Sequence, residues 1–326
     1  MIETFLPNAL ALIVALLIDA WWGEPRRWHP LIGFGVLANA IEARLNKNNP
    51  SDKNTKPNKQ LGRIARGALA WCALVIPLVL VAMILQAVAH ALPAWLSVLM
   101  QALIVYLALG RQSLAEHARA IAVALRAEDL PHARHALSRL VTRDTAQLDS
   151  TAISAGAVES VLENGSDAVI ATIFWFVVAG LPGVVLHRTA NTLDAMWGYR
   201  TERFNEFGRV AARIDDVLNF IPARLTSFAY ALAGATASAL HCWRTQARAW
   251  SSPNAGPVMA AGAGALQLQL GGAAIYHGRI EQRPQLGCKH PPQPHDIERA
   301  LRLLDHALLI VVGLLLIGTG IAAWFF

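Results

Sequence analysis

The chain has 326 residues, of which 55% are hydrophobic and only 15% charged, and its formal net charge is +6. That balance excludes an ordinary soluble domain and makes the bilayer the expected solvent. No basic patch interleaved with aromatics accompanies the positive charge, so topology and anionic headgroups account for it and no nucleic-acid partner is expected.

Taken in chain order, Phe5 to Ile18 is a charge-free run that meets Asp19, Trp21 and Trp22 at an interface-like edge. It lacks the basic leader and small-residue cleavage pattern of a signal peptide. Asn46 to Gln60 is rich in Asn, Lys and Pro and is expected to be a mobile polar loop. Gly67 to Ala89 and Ala94 to Leu109 are apolar runs separated by Leu92 and Pro93, which predicts a helical hairpin. Arg26, Arg27, Arg44, Arg63, Arg66 and the loop lysines lie between the first two spans, which puts that side in the cytoplasm. Arg111 to Arg126 has Leu114, Ala118, Ile121 and Leu125 at helical spacing, and Pro131 opens a second helix running to about Val141. Both read as amphipathic helices on the cytoplasmic side, with His117, His132 and His135 as surface histidines. Ala307 to Phe326 is twenty residues without a charge, about the length of a membrane-crossing helix. The expected architecture is all-α and polytopic, one membrane-embedded domain over 1–326. Its parts are a polar loop at 46–60, a cytoplasmic-facing catalytic region at 111–305 and a C-terminal transmembrane helix at 307–326.

Between Arg143 and Arg224 the chain carries seven Arg, six Asp and four Glu among apolar segments. Ionised groups near a membrane are costly unless they pair, bind a ligand or line water, so such a dense set points to a functional site. If the apolar runs Ala168 to Leu186 and Thr226 to Leu240 both crossed fully, most of these arginines would be exported. Short or re-entrant elements are therefore expected there.

Glu159, Glu163 and Asp167 recur every four residues, which aligns three carboxylates on one helical face. A solvated face, an arginine partner or phosphate-bound magnesium would each account for the column, with Asp144 and Asp149 able to join it. Arg188, Asn191 and Thr192 share a face, and Asp194 lies three residues beyond Asn191. Asp215 and Asp216, with Asn219 one turn on, suit a magnesium ion that keeps water and touches phosphate; ion pairs of Asp216 with Arg213 or Arg224 are the structural alternative. Arginine suits bidentate recognition of phosphate or carboxylate. Ser252, Asn254 and Gly256 form a turn whose backbone amides could meet an anion, while glycine and alanine beyond it also suit close helix packing. No Lys occurs between Lys59 and Lys289, which excludes a Schiff-base lysine in the charged block, and no P-loop pattern is present. Cys72, Cys242 and Cys288 indicate neither a disulfide framework nor a zinc knuckle.

Seven segments, WWGEPRRWHPLIGFG, GRQSLAEHARA, TRDTAQLD, AVESVLENGSDAV, NTLDAMWGYR, FGRVAARIDDVLNFIPARLT and SPNAGPVMAAGAGALQLQLGG, together resemble the adenosylcobinamide-phosphate synthase family (CbiB/CobD) of cobalamin biosynthesis over nearly the whole chain. The resemblance implies an inner-membrane ligase that joins adenosylcobyric acid to (R)-1-amino-2-propanol O-phosphate, or a related amino alcohol, with ATP as co-substrate and Mg2+. It implies a corrinoid and an amino alcohol phosphate as partners, and leaves open homo-oligomerisation or association with later cobalamin-assembly enzymes. Arg143, Asp144, Glu159, Glu163, Asn164 and Asp167 are the expected catalytic group. Arg188, Asn191, Thr192, Asp194, Arg224, Ser252, Asn254 and Gly256 are expected at substrate and phosphate, and Asp215, Asp216 and Asn219 at the metal. Glu24, Thr142, Ser150, Ala168 and Thr172 depart from the family pattern. A membrane transporter, or an AmpE-like protein sharing the scaffold without the synthetic role, are the competing readings.

Overall fold

The protein is described from a computed structural model covering residues 2–25, 29–46, 57–276 and 278–325. It is built of α1 (Ile2–Trp22), α2 (Pro30–Leu45), α3 (Pro57–Ala91), α4 (Ala94–Ala108), α5 (Arg111–Arg126), α6 (Leu130–Leu137), α7 (Ser150–Asn164), α8 (Ala171–Trp197), α9 (Arg209–Leu218), α10 (Phe220–Ala233), α11 (Thr236–Gln246), α12 (Ala255–Leu266), β1 (Gln269–Tyr276), β2 (Arg279–Gly287) and α13 (Asp296–Phe325). One wide helical turn, Gly165–Ile170, joins α7 to α8. The all-α polytopic class holds, with an antiparallel hairpin, β1 against β2, added to it.

Among the described residues, four stretches are long and apolar enough to cross a membrane: Gln60–Ala91, Ala94–Arg126, Ser150–Trp197 and Asp296–Gly318. Helix ends follow local chemistry. Pro30 starts α2 beneath a His29 side chain that accepts the Leu31 amide, and Asp149 accepts the Ala152 amide at the start of α7. The second amphipathic helix stops at Leu137, short of the expected Val141, and the C-terminal helix begins at Asp296, well before the apolar run. Residues 47–56 of the expected polar loop lie outside the described residues, and its last part, from Pro57, already belongs to α3. The run Thr226 to Leu240 is divided between α10 and α11 at Gly234. The run Ala168 to Leu186 is broken inside α8 at Gly180, whose φ of 61° is available to glycine without strain. Gln86 Oε1 accepts the Leu181 amide freed by that break at 2.9 Å.

The chain forms two compact units, one of residues 1–109, 172–218 and 319–326, the other of 110–171 and 219–318. In the first, Phe34, Trp71, Leu74, Leu193, Trp197 and Phe207 form an apolar core. Arg63 at the polar end of α3 pairs with Glu206 at 3.1 Å and donates to the Glu202 carbonyl, and Arg66 donates to the Leu45 carbonyl. In the second unit every residue of α12 is buried. A Cβ at Gly262 would meet the Leu162 side chain at 2.7 Å, so glycine there lets α12 approach α7 closely.

Candidate functional site

The densest charged arrangement lies in the second unit, around Glu159 on α7. Its carboxylate receives Arg143 Nη1 at 3.0 Å, Arg283 Nη1 and Nη2 at 3.1 Å each, and the Gly271 amide at 2.9 Å. Arg143 is 9% exposed and Glu159 6%, so this is a buried charge cluster fastening the loop before α7 and both hairpin strands to one helix. Burial alone would push the Arg283 guanidinium down, but Glu159 more than offsets that and holds it above the ordinary arginine value. Arg283 also stacks over Trp250 at 5.4 Å. Of the readings open for the carboxylate column, Glu159 takes the arginine partner.

Arg143 spends one nitrogen on Glu159. Its Nε and Nη2, the pair of donors spaced for a bidentate anion, are buried and have no hydrogen-bond partner among the described residues. Nη2 packs on Gly156, where a Cβ would lie 3.1 Å from Arg143 Cζ and 3.1 Å from Leu137 Cδ2. Only a bare backbone leaves room for the guanidinium. Asp144 is exposed; its amide donates to the Ile275 carbonyl of β1 and its carboxylate accepts the Ala146 amide, so it shapes the turn. Glu163, half-buried, lies one turn beyond Glu159; Asn164 donates to Ser160 and Asp167 sits in the wide turn.

Arg224 and the turn expected to cradle an anion are also in this unit, but they serve each other. Arg224 donates to Asn254 Oδ1 at 2.6 Å and to the Pro253 and Phe220 carbonyls at 2.9 and 3.0 Å, and it stacks on Phe220. The Asn254 and Ala255 amides donate to Ser252 Oγ and the Gly256 amide to the Ser252 carbonyl. Asn254 and Ala255 thus point their amides into a local cap, which corrects the expectation of an open anion cradle. Gly256 is needed for close approach, since a Cβ there would stand 3.0 Å from Trp250 Cβ. Asn219, at the head of α10, belongs to this second unit.

The remaining expected residues belong to the first unit. Asn191 donates to Asp215 Oδ1 at 3.2 Å, joining α8 to α9. Asp215 is buried and Asp216 half-buried, because consecutive helical positions diverge by about 100°. Burial pushes the Asp216 carboxyl up, against the pull of Arg213 and Arg200. Thr192 donates to the Arg188 carbonyl of its own helix, and the Asp194 carbonyl accepts the Gly198 amide. Among the described residues, no three His, Cys, Asp or Glu side chains gather as a metal site.

Sequence reasoning missed Arg283 and the Gly271 amide, which lie more than a hundred positions from Glu159. The alternation in LQLQLGG signals the strand that carries Gly271, once helix packing is set aside, and nothing local signals Arg283. It also missed a second cluster, where Glu42 accepts Arg203 Nε at 3.0 Å and Asn46 Nδ2 at 2.6 Å.

Apolar helices of crossing length define an all-α integral membrane protein, whose second unit holds a buried arginine–carboxylate cluster. The CobD/Cbib protein family model matches residues 12–304, and the chain belongs to that family. It is 52% identical over 311 residues to the cobalamin biosynthesis protein CobD of Stutzerimonas stutzeri (strain A1501), covering 95% of this chain and 97% of that protein. Identity to the CobD of Chromobacterium violaceum is 49% over 307 residues, covering 94% and 95%. Identity to that of Mycobacterium tuberculosis (strain ATCC 25618 / H37Rv) is 36% over 306 residues, covering 92% of each. No solved structure matches.

Proposed function

We propose that this protein forms an amide bond between adenosylcobyric acid and (R)-1-amino-2-propanol O-phosphate, or a related amino alcohol, giving adenosylcobinamide phosphate at the cytoplasmic face of the inner membrane. The observation that carries this reading is family membership over residues 12–304, whose relatives are named for cobalamin biosynthesis. A propionate oxygen of the corrinoid attacks the γ-phosphorus of ATP, the bond to the β-phosphate oxygen breaks, and ADP leaves. The amine then attacks the acyl carbonyl, loses a proton, and expels inorganic phosphate. Both steps need phosphate charge neutralised more than they need a protein nucleophile.

Arg143 supports this reading because its Nε–Nη2 edge is a bidentate donor pair not used by any described residue. Glu159 orients that arginine and Arg283 balances Glu159, which makes both positioning residues. For magnesium, Asp215 and Asn191 supply one carboxylate and one amide already held together, a set that suits an ion otherwise bound by water and phosphate. When bound, the ion would neutralise phosphate charge. Arg224 has a structural role in this scheme, fixing the turn before α12.

Purified protein in lipid nanodiscs is incubated with adenosylcobyric acid, aminopropanol phosphate, Mg2+ and ATP, and mass spectrometry looks for the condensed corrinoid and ADP. Absence of both across a range of amine donors overturns the proposal. The helix broken at Gly180 is the one observation that favours a transporter. ATP-independent uptake of a corrinoid into proteoliposomes would establish that reading instead.

A further inference from the structure

A buried cysteine ordinarily behaves as a small apolar side chain, and its chemistry matters where a second reactive group stands against it. In the second unit two cysteines far apart in the chain meet. Ser238, Cys242 and Gln246 recur every four residues along one face of α11, and that face receives the chain as it leaves β2. Gln246 Nε2 donates to the Gly287 carbonyl at 3.0 Å, and its Oε1 accepts the Gly287 amide at 2.6 Å. That grip presents the next residue, Cys288, to the same face. Ser238 Oγ and Cys288 Sγ lie 3.0 Å apart, and the Cys242 thiol is hydrogen-bonded to Cys288. From the other side the Cys288 amide donates to the Leu268 carbonyl at 2.9 Å, which fixes its backbone.

The two sulfurs differ in access. Cys242 is 1% exposed, while Cys288 is half-buried. Burial, and after it the neighbouring Cys288, push the Cys242 thiol up, against the pull of Ser238. The inner sulfur is therefore protonated and shielded, and the outer one is the sulfur that a small reagent reaches first. Both are free thiols in the structure. An accessible thiol with a second one held beside it is the arrangement in which oxidation stops at a disulfide, because the second sulfur captures the sulfenic acid before further oxygen is added.

We infer that Cys242 and Cys288 form a redox-active dithiol whose co-reactant is a hydroperoxide. The Cys288 sulfur attacks a peroxide oxygen, the O–O bond breaks, and the Cys288 proton passes to the departing oxygen. Sulfenic acid forms on Cys288, and hydrogen peroxide leaves as water. The Cys242 sulfur then attacks the Cys288 sulfur, the S–O bond breaks, and the hydroxide departs as water with the Cys242 proton. Two thiols are oxidised to one disulfide and one peroxide is reduced. The bond ties α11 to the end of β2, the strand that carries Arg283, and a thiol reductant reopens it. Neither step depends on the ligation proposed above.

The test exposes the full-length protein in nanodiscs to a small excess of hydrogen peroxide, then denatures it in N-ethylmaleimide and digests it for mass spectrometry. A peptide pair joined through Cys242 and Cys288 is expected, with both residues absent from the maleimide-labelled pool and Cys72 still in it. Dithiothreitol given before the maleimide should return both to that pool. This readout is taken on the unmodified chain and stands whether or not a variant folds. In Cys242→Ser the sulfenic acid has no second thiol beside it, so its capture by dimedone at Cys288 should rise about tenfold over the unmodified chain. Sulfinic or sulfonic acid at Cys288 without a joined peptide overturns the inference. So does a bond that runs to Cys72 or to a second copy of the chain, and so does full labelling of both cysteines after peroxide.

Discussion

Replacing Glu159 by Gln probes the central cluster of the second unit most directly. The carboxylate takes four donors, three from Arg143 and Arg283 and one from the Gly271 amide. Glutamine keeps the length and one carbonyl oxygen, so the Gly271 bond can survive, but a buried guanidinium, Arg143, and a half-buried one, Arg283, lose their counter-charge. Removing one partner of a buried ion pair costs about 3–5 kcal/mol, well above the 0–1 kcal/mol of an exposed pair. Because Arg143 is 9% exposed and Glu159 6%, the larger range applies. Thermal unfolding followed by tryptophan fluorescence should show a midpoint lowered by on the order of 10 °C. Adding Arg283→Met should recover part of the loss, since one of the stranded cations is then gone. A single-variant loss below about 1 kcal/mol would mean that water reaches the cluster. The idea that it fastens the hairpin to α7 would then be wrong.

Gly156→Ala should cost about 1–3 kcal/mol, because the added methyl strikes the Arg143 guanidinium and Leu137, and the same unfolding assay reads it. If ligation is the activity, Asp215→Asn should raise the magnesium concentration giving half-maximal product about tenfold or more; an unchanged magnesium titration removes Asp215 from the metal. Burial raises the Glu42 carboxyl, but hydrogen bonds from Arg203 and Asn46 outweigh it, and the pKa lies below the ordinary 4.5. A depressed folded pKa contributes stability that is present above 4.5 and lost as pH falls through the lowered value. The midpoint difference between wild type and Glu42→Gln should therefore be full at pH 7 and shrink below about pH 4; a constant difference across that window refutes the assignment.

Much of the helical frame was legible because apolar run length is a direct physical signal. The hairpin of α3 and α4 turns at Leu92 and Pro93 as their composition requires, and α5 has the expected ends. The break at Gly180 had no signal of its own, since a glycine in an apolar run also packs helices, and the run expected as short elements lies in a stretch, Ser150–Trp197, long enough to cross a membrane. The hairpin of β1 and β2 escaped because its glycine-rich strand follows a glycine-rich helix without a change in composition. Arg224 illustrates the limit for function. An arginine near an acid-rich helix reads as an anion ligand, yet Asn254, thirty positions later, supplies the acceptor that occupies it. Glu159 was found as one of a column, while Arg283, its principal partner, has no local pattern to announce it.

The length of α3 has a mechanical consequence. At 1.5 Å per residue its 35 residues span roughly 50 Å, against a hydrocarbon layer of about 30 Å. The surplus turns act as a strut whose tip, through Arg63 and Arg66, grips the Glu202–Glu206 segment and the end of α2. Thinning or thickening the host bilayer would tilt that strut and carry its grip along, making the segment before α9 a gauge of membrane thickness.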